Sequence, residues 1–379
     1  MSKYVPVFGY KTKNYNLTRV FIHGTSQTLT FKTAISGNKI RILFTNKFSP
    51  RNLRVLRMYL IIEGVKYNVT LKNKRWFKLK PNQEVYSDVI NLYQDNYDFI
   101  TIETKFGFFA KGYSAGDFNS TKQALVKHYG IFNRKVNLGL RTKAISKPHL
   151  QISLLIKQVE IIDQKAKSVA WLGDSLTNHA YYTQALQNRI IEKKYPVSII
   201  NAGQSGNRLL KDGRLLLKDI FGDSALSRIE NDIFKFNKPA VVVVAVGIND
   251  LIHPATLVSA EELPETYEMI DGYLELLKII KSHKSKAVIT TITPFNGYKD
   301  NVLPQAEERR KEINAWIRSQ KDYDWVFDLD AIVKDDQDST WLAPVFRGDD
   351  NLHFLQEGGQ IIADKFDLES LIKLLELDN

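Results

Sequence analysis

The sequence contains no cysteine among its 379 residues. This absence excludes disulfide bonds, thiolate zinc sites and a cysteine nucleophile, so covalent catalysis would have to use an oxygen or nitrogen nucleophile. No apolar run reaches the roughly 18 residues that a membrane-spanning helix needs. The polar and aromatic residues 1–16 also lack the apolar core of a secretory signal peptide. We therefore expect a cytoplasmic protein without a membrane span.

Two further motifs bear on the catalytic chemistry. A G-x-S-x-G occurs once, at residues 112–116, but it lies in the strand-rich first half and not in a strand-to-helix turn, so the ordinary nucleophile turn of α/β-hydrolases is not predicted there. No HExxH spacing occurs, so a zinc site of that kind is not predicted. There is no internal repeat and no low-complexity segment. We expect a protein whose chemistry needs neither a metal ion nor an organic cofactor.

The composition is that of a soluble globular protein, with 44% hydrophobic and 25% charged residues. Its length predicts two domains. The charge is unevenly divided between them: residues 1–165, the first half, hold 28 Lys and Arg against 9 Asp and Glu, a balance of +19. The totals of 53 and 42 leave 25 against 33 for residues 166–379, the second half, a balance of −8.

The basic first half has two interpretations. It could attract an anionic partner such as nucleic acid, an acidic polysaccharide or a membrane surface, or it could simply be a solvated surface. Its densest cluster comprises Arg51, Arg54, Arg57, Lys72, Lys74, Arg75, Lys78 and Lys80. Because no nucleic-acid-binding signature accompanies this cluster, we predict no nucleic-acid partner. An anionic polymer remains a candidate partner, and the sequence does not specify the oligomeric state.

Short strands separated by turn residues dominate the first half. Alternation with period two, as in residues 39–44, predicts an antiparallel, jelly-roll-like β-sandwich over residues 1–165. The expected strands are Thr28–Thr33, Ile40–Thr45, Leu53–Ile61, Tyr67–Leu71, Phe99–Thr104 and Gln151–Ile162. The one helix candidate is Ser120–His128.

Apolar strands alternate with longer amphipathic segments in the second half. This βαβ rhythm predicts a parallel sheet covered by helices on both faces, a flavodoxin-like three-layer α/β/α domain over residues 166–379. The expected strands are Ser168–Leu172, Val197–Asn201, Ala240–Val246, Lys286–Ile292 and Trp325–Leu329. The expected helices are Ala180–Lys194, Ala225–Phe236, Pro264–His283, Pro304–Ser319 and Glu357–Leu377. Residues that do chemistry should follow the strands at their carboxyl ends.

The first of these strands is followed by Gly173-Asp174-Ser175, a tight turn that would present a serine hydroxyl at the start of a helix. The same three letters recur at residues 222–224. That copy does not follow a parallel strand, and Ser224 is expected to be the N-cap of the helix that begins near Ala225.

The next two strands end in residues suited to hold an oxyanion. The second is followed by a loop containing Gly203 and Gly206, whose glycines can bring a backbone N–H close to a ligand. The third is followed by Asn249, whose amide could be a further donor. Each motif taken alone could equally be an ordinary turn. Asp174, Gly203 and Asp250 are expected to have supporting roles.

Asp350 and His353 stand just before the last predicted helix. Their spacing of three can bring a carboxylate against an imidazole N–H, so that the other ring nitrogen could accept a serine proton. A metal site built on the pair has no second cluster to support it. The six other histidines are expected to be structural or surface groups: His23, His128, His149, His179, His253 and His283.

These four signals occur in a fixed order, each after its strand, and in this the second half resembles the SGNH or GDSL hydrolase family. The resemblance implies a serine esterase with Ser175 as nucleophile and Asp350 and His353 as the rest of a triad. It implies an oxyanion hole formed by the Ser175 backbone, Gly206 and Asn249, with Gly203 as the alternative glycine. One departure is Phe354, where family members often have proline.

The resemblance continues through residues 293–297, 314–318 and 327–330. The first half is similar to the β-sandwich that precedes the hydrolase domain in a bacterial branch of the family, at residues 41–46 and 87–89. The family's substrates are short-chain esters, acetylated sugars, lipids and thioesters. We expect hydrolysis of a short acyl ester, such as acetyl on a carbohydrate. The alternatives are a lipase or lysophospholipase, an acyltransferase with the same triad, and a non-catalytic protein that binds an anionic polymer.

Overall fold

The structure is a computed structural model and describes residues 4–15, 21–93, 96–118, 123–129, 133–138, 141–145, 151–214 and 218–377. The chain divides into two compact units. One comprises Met1–Ala166 with Ile191–Ile200, and the other comprises Lys167–Ile190 with Asn201–Asn379. Within the described ranges, no helix combines the length and apolar character needed to cross a membrane.

The described part of the first half consists of strands. These are β1 (Tyr4–Gly9), β2 (Lys13–Asn14), β3 (Phe21–Lys32), β4 (Lys39–Thr45), β5 (Leu53–Ile62), β6 (Val65–Asn68), β7 (Phe77–Leu79), β8 (Glu84–Tyr86), β9 (Ile90–Asn91), β10 (Phe99–Gly112), β11 (Ser114–Asp117), β12 (Leu125–Tyr129), β13 (Asn133–Leu138), β14 (Arg141–Ile145), β15 (Ile152–Leu154) and β16 (Ile156–Ile162).

Antiparallel pairing organises these strands into three sheets. The largest has the order β14-β13-β3-β10-β5-β6, with β12 paired to β3 and β7 to β5; the second has β1-β16-β4-β8, with β9 on β4; the third has β15-β11-β2. Period-two alternation buries one face, as β5 shows, where Leu53, Val55, Met58 and Leu60 are at most 2% exposed. A β-rich first half is thereby confirmed, whereas its sandwich arrangement stays a prediction.

The expected helix at Ser120–His128 is wrong. Residues 125–129 form strand β12, which pairs antiparallel with β3. Val126 is buried while Leu125 is 51% exposed, and this alternation satisfies a sheet face rather than a helix face. Residues 119–122 lie outside the described residues.

The second half alternates strands and helices. Its strands are β17 (Lys167–Gly173), β18 (Val197–Gly203), β19 (Val241–Ala245), β20 (Lys286–Thr290) and β21 (Trp325–Phe327). Its α-helices are α1 (Ser175–Asn178), α2 (Tyr181–Glu192), α3 (Lys218–Phe221), α4 (Ala225–Ile229), α5 (Ile248–Ile252), α6 (Thr266–Ser282), α7 (Pro304–Ser319), α8 (Leu329–Val333), α9 (Gln356–Lys365) and α10 (Leu368–Leu374). A π-helical turn, Glu230–Phe234, follows α4, and a 3-10 turn spans Ala260–Glu262.

The five strands form one sheet in the order β18-β17-β19-β20-β21. Strand β19 pairs in parallel with β17 and with β20, and β20 pairs in parallel with β21. The continuous apolar run of residues 241–244 is fully buried, as expected of a central strand covered on both faces. The α/β class predicted for the second half is confirmed. Its parallel strands direct their carboxyl ends to one edge, where the loops with the predicted site residues begin.

Two of the expected helices are each divided into two elements. The helix expected over Glu357–Leu377 is two helices, α9 and α10, because the chain leaves the helical conformation at Phe366 and Asp367 caps α10 by accepting from Ser370 N–H. The helix expected over Ala225–Phe236 continues from α4 into the π-helical turn.

Candidate active site

The turn that carries Ser175 joins β17 to α1. Gly173 ends the strand and Ser175 is the first residue of the helix. The Asp174 side chain is the N-cap of α1 and accepts from the Leu176 N–H at 3.0 Å. Ser175 is 7% exposed. The serine hydroxyl is therefore held at the amino end of a helix, where backbone N–H groups are free to meet an anion.

Ser175, His353 and Asp350 form one hydrogen-bonded chain. The Ser175 Oγ lies 2.7 Å from Nε2 of His353, although the two residues are 178 positions apart. On the other side of the ring, Nδ1 lies 2.5 Å from Oδ2 of Asp350. The geometry allows the imidazole to take a proton from the serine while the carboxylate orients the ring.

Asp350 is held by its own loop. Its Oδ1 accepts the backbone N–H groups of Leu352 at 3.1 Å and His353 at 2.9 Å. Burial by itself would raise the pKa of the Asp350 carboxyl, but the hydrogen bond from the His353 ring and the two backbone N–H groups hold that pKa below its usual range. The carboxyl is therefore ionised at neutral pH.

The loop that carries His353 is fixed at both ends. Asn351 has a φ of 55° and donates from Nδ2 to the Gly297 carbonyl at 2.9 Å. Phe354 is 4% exposed and makes an edge contact with Tyr182 at a centroid distance of 6.3 Å. A packed aromatic ring anchors the loop at this position.

Hydrogen bonds join the loop after β18 to the turn that carries Ser175. The Gln204 N–H donates to the Gly173 carbonyl, and Ser205 Oγ donates to Oδ1 of Asn178, both at 3.0 Å. Gly206 has a φ of 70°, and a Cβ there would fall 2.0 Å from the Phe221 ring. Glycine is therefore required at this position on conformational and steric grounds.

Gly203 is also required by packing. A Cβ there would lie 2.3 Å from the backbone nitrogen of Asn178, whose side chain donates to the Gly203 carbonyl at 3.3 Å. The glycine lets strand β18 approach the backbone of α1 closely. Gly203 therefore serves the packing of β18 against α1, whereas Gly206 lies in the loop that follows β18.

Asn249 and Asp250, at the start of α5, bind the same loop from the other side. The Asn249 amide is 3% exposed and donates from Nδ2 to the Asn207 carbonyl at 3.0 Å. The Asp250 carboxylate accepts the N–H groups of Leu209 at 2.6 Å and Leu210 at 3.0 Å. Hydrogen bonds therefore connect the loops after three successive strands of the chain, β17, β18 and β19.

Two buried carboxyl groups support the turn. Burial raises the pKa of Asp174 to about 7, and the negative charge of Asp250 adds to the rise, while the Leu176 N–H and Arg228 oppose it. Burial likewise raises the pKa of Asp250 to about 6 against the opposing N–H groups of Leu209 and Leu210. Asp174 and Asp250 therefore titrate near neutral pH, whereas the pKa of Asp350 is lowered.

Arg228 is a site residue that the sequence analysis missed. It is 2% exposed, and its guanidinium donates to the carbonyls of Gly173 and Ala202 and to Oδ1 of Asn207, each at 2.8 Å. Asp232 balances its charge at 3.3 Å. The residue joins the ends of β17 and β18 to the loop beyond. The signal available in the sequence was a cationic residue next to the apolar Ile229 and three positions after Ala225, on the side of α4 that is buried in the structure.

His179 is the second missed residue. Its ring centroid lies 4.6 Å from that of His353, with the planes inclined by 36°. Its ring also contacts that of Tyr181, at a centroid distance of 5.9 Å. A structural or surface group was expected here from the sequence, and the position of His179 four residues after Ser175 was the hint that it would lie beside His353.

No cluster of three or more His, Cys, Asp or Glu side chains suited to a metal ion occurs among the described residues. His149 lies outside them. The chemistry available in the described site is that of a hydroxyl, an imidazole, a carboxylate and N–H donors.

Comparison with known proteins gives a family match and several similar structures. The profile of the GDSL-like lipase/acylhydrolase family matches residues 171–361. Similar solved structures include the acetyl xylan esterase AlAXEase, at 21% identity, a TM-score of 0.39 and coverage of 54% of this chain and 99% of that one. Another is the psychrotrophic esterase EstA from Pseudoalteromonas sp., at 17% identity and a TM-score of 0.39, with coverage of 55% of this chain and 99% of that one. A third is a GDSL-like lipase from Bacteroides thetaiotaomicron VPI-5482, at 18% identity and a TM-score of 0.38, with coverage of 55% of this chain and 88% of that one. No curated protein matches the chain.

Proposed function

Because this chain belongs to the GDSL-like lipase/acylhydrolase family and is therefore a carboxylic ester hydrolase, we propose that Ser175 is its nucleophile. His353 is the general base and Asp350 orients it. The observation that carries the proposal is the continuous chain of contacts from Asp350 Oδ2 through the His353 ring to Ser175 Oγ, at 2.5 and 2.7 Å.

The reaction follows the order of these contacts. His353 Nε2 accepts the hydroxyl proton as Ser175 Oγ attacks the ester carbonyl carbon, and the Asp350 carboxylate stabilises the imidazolium that forms. The imidazolium returns the proton to the departing alcohol, and an acyl-serine remains. Water, deprotonated by the same imidazole, then attacks the acyl-serine, and its hydrolysis restores the hydroxyl.

The oxyanion hole is formed by the backbone N–H groups of Ser175 and Gly206 and by the Asn249 amide. Three observations support this part of the proposal. Ser175 opens a helix, Gly206 lies in a turn bound to the nucleophile turn, and the Asn249 amide is oriented by Asn207. An amide nitrogen carries two hydrogens, so the bond to Asn207 leaves one N–H for the oxyanion. Loss of one such donor typically costs roughly 3 to 4 kcal/mol in the transition state.

The substrate we propose is a short acyl ester, such as acetyl on a carbohydrate. The basic composition of the first half supports a carbohydrate that carries negative charge. The second candidates are a lipase or lysophospholipase, which would take longer acyl chains, and an acyltransferase, which would replace water by an alcohol or sugar. The triad serves all of these reactions equally.

We propose the same domain division as the composition indicated. Residues 1–165 form an accessory sandwich of jelly-roll type, and residues 166–379 form a three-layer, flavodoxin-like catalytic domain. The antiparallel sheets of the first half and the five-stranded sheet of the second half support this division.

The test is hydrolysis of p-nitrophenyl esters from acetate to palmitate, combined with mass spectrometry of the intact protein. We expect the highest kcat/KM with the shortest acyl chains, and an added acyl mass on the wild type that is absent from Ser175→Ala. Product analysis with and without a sugar acceptor distinguishes hydrolysis from transfer. Equal turnover by Ser175→Ala would contradict the nucleophile assignment, and a maximum at palmitate would favour the lipase alternative.

A further inference from the structure

The outer face of strands β7, β5 and β10 carries a concentrated positive charge. Along β5 and β7 the buried positions are apolar, whereas Arg54, Arg57 and Lys78 are exposed, as is Leu56 at 45%. Lys105 of β10 is exposed beside them. We call these four residues the basic face.

The basic face places like charges opposite each other. Arg54 is the direct cross-strand partner of Lys78, and Arg57 is the direct partner of Lys105. The second pairing continues the regular register that begins at Thr101, and the register shift follows it, so that Phe106 lies opposite Val55 and Leu56 is left without a direct partner on β10. Directly opposed like charges destabilise a sheet, and opposite charges at the same positions would stabilise it.

No counter-charge from the described residues relieves this repulsion. None of the four basic-face side chains forms an ion pair with a described carboxylate. The nearest acidic residue on β10, Glu103, instead pairs with Lys66 at 2.9 Å. The chain thus tolerates two unfavourable pairs of like charge, although an acidic residue, Glu103, lies two positions before Lys105 on the same strand.

More cations and one aromatic ring extend the basic face along β7. By the same alternation, Trp76 and Lys80 lie on the side of Lys78, and Trp76 is 66% exposed. Lys74 Nζ lies 5.8 Å from the centroid of the Trp76 ring. A large exposed apolar ring beside unpaired cations is the composition of a binding surface rather than of a solvated one.

We propose that the basic face and Trp76 bind an acidic polysaccharide. Repeated carboxylates along such a polymer complement the paired cations, and the apolar side of a sugar ring can stack on the exposed indole. Single-stranded nucleic acid is less suited, because base-stacking platforms present several aromatic rings on the sheet, whereas the surface proposed here relies on the single ring of Trp76. A sheet of several strands also does not enter a duplex groove, which admits a helix or a two-stranded ribbon.

The test measures binding of the full chain to polygalacturonate by affinity electrophoresis, with neutral dextran and double-stranded DNA as comparison polymers. The key variant is Arg57→Glu/Lys78→Glu, which converts both like-charged pairs into opposite-charged pairs. We expect its affinity for polygalacturonate to fall about tenfold or more while its melting temperature stays at or above that of the wild type. Loss of binding then cannot be ascribed to unfolding.

The matched control is Lys238→Glu/Lys321→Glu, which changes the net charge equally at two exposed positions of the second half. We expect it to bind polygalacturonate within about twofold of the wild type, and Trp76→Ala to bind several-fold more weakly. Wild-type binding should weaken at high salt. Equal losses in the control, retention on dextran, no binding to polygalacturonate, or tighter binding to DNA than to polygalacturonate would each overturn the proposal. Because binding is measured without turnover, its outcome is independent of the esterase assignment.

Discussion

The tripeptide Gly-Asp-Ser occurs twice in this chain, at residues 173–175 and 222–224, in two different environments. Gly173 ends a buried parallel strand, whereas Gly222 follows the short helix α3 with a φ of 73°. Asp174 is 2% exposed and caps a helix, whereas the side chain of Asp223 is 55% exposed.

The two serines differ in their partners. Ser175 Oγ contacts the imidazole of His353, while Ser224 Oγ accepts the Ser227 N–H and caps α4, as the sequence predicted. Both hydroxyls lie at the start of a helix, so the helix terminus by itself does not distinguish them. The difference arises from the preceding strand, which places the turn of Ser175 at the edge of the sheet, and from an imidazole supplied by a distant segment.

The largest expected effect comes from removing each hydroxyl in turn. Ser175→Ala should lower kcat for p-nitrophenyl acetate by roughly 10⁴ to 10⁶-fold, because the covalent route is lost. Ser224→Ala should retain kcat within about twofold. Steady-state kinetics of both variants measures the contrast, and comparable losses in the two would show that the comparison is mistaken.

Asp350→Asn tests the orienting carboxylate, which Ser224 lacks. The amide keeps the shape but cannot stabilise an imidazolium, so kcat should fall by about 10⁴-fold with KM little changed. Asp223→Asn, on the exposed copy, is the matched control and should be neutral. A wild-type rate in Asp350→Asn would remove Asp350 from the mechanism.

Arg228 connects the first tripeptide to its neighbouring strand, and Arg228→Met tests that connection. Removing the guanidinium takes one donor from each of the Gly173 and Ala202 carbonyls and breaks the buried ion pair with Asp232, and breaking such a pair typically costs roughly 3 to 5 kcal/mol of stability. In the protein that still folds, we expect kcat to fall about 10 to 100-fold, with a smaller change in KM, because the turn shifts. Arg228→Lys should recover part of kcat. Unchanged kcat in folded Arg228→Met would limit the residue to stability.

Asp174→Asn tests the buried aspartate of the first tripeptide through the pH dependence of stability. The pKa of Asp174, about 7, lies above its ordinary 3.8, so the native state holds this proton more tightly than the unfolded chain does. The resulting stabilisation is complete below about pH 4 and is lost as the pH rises through 7. Asparagine keeps the acceptor for Leu176 and has no proton to lose. The melting temperature of Asp174→Asn relative to the wild type should therefore increase between pH 5 and 8.

The smallest expected effect is on the second serine. Ser224→Ala removes a helix N-cap, which typically costs about 1 kcal/mol, or roughly 2–4 °C in melting temperature for a domain of this size. Calorimetry checks the value. A loss of several times that size would indicate a role beyond capping.

Local patterns were sufficient for most of the second half and less so for the first. The run at residues 241–244 and the βαβ rhythm predicted the parallel sheet, since burial on both faces requires apolar residues at every position. A helix was wrongly predicted over residues 120–128 because a short segment with mixed polarity fits both the helical period of 3.6 and the strand period of two. The division between α9 and α10 was missed although Asp367 carries an N-cap signal, because the apolar periodicity continues across it.

The sequence by itself determined the order of the loops, the residue types that they carry, the cap at Ser224 and the charge imbalance between the halves, because these depend on neighbours a few positions apart. Only the tertiary structure decided that His353 contacts Ser175, that His179 lies against the His353 ring and that Arg228 joins the ends of two strands. Those contacts bring together segments far apart along the chain, and no local spacing encodes where the folded sheet places them.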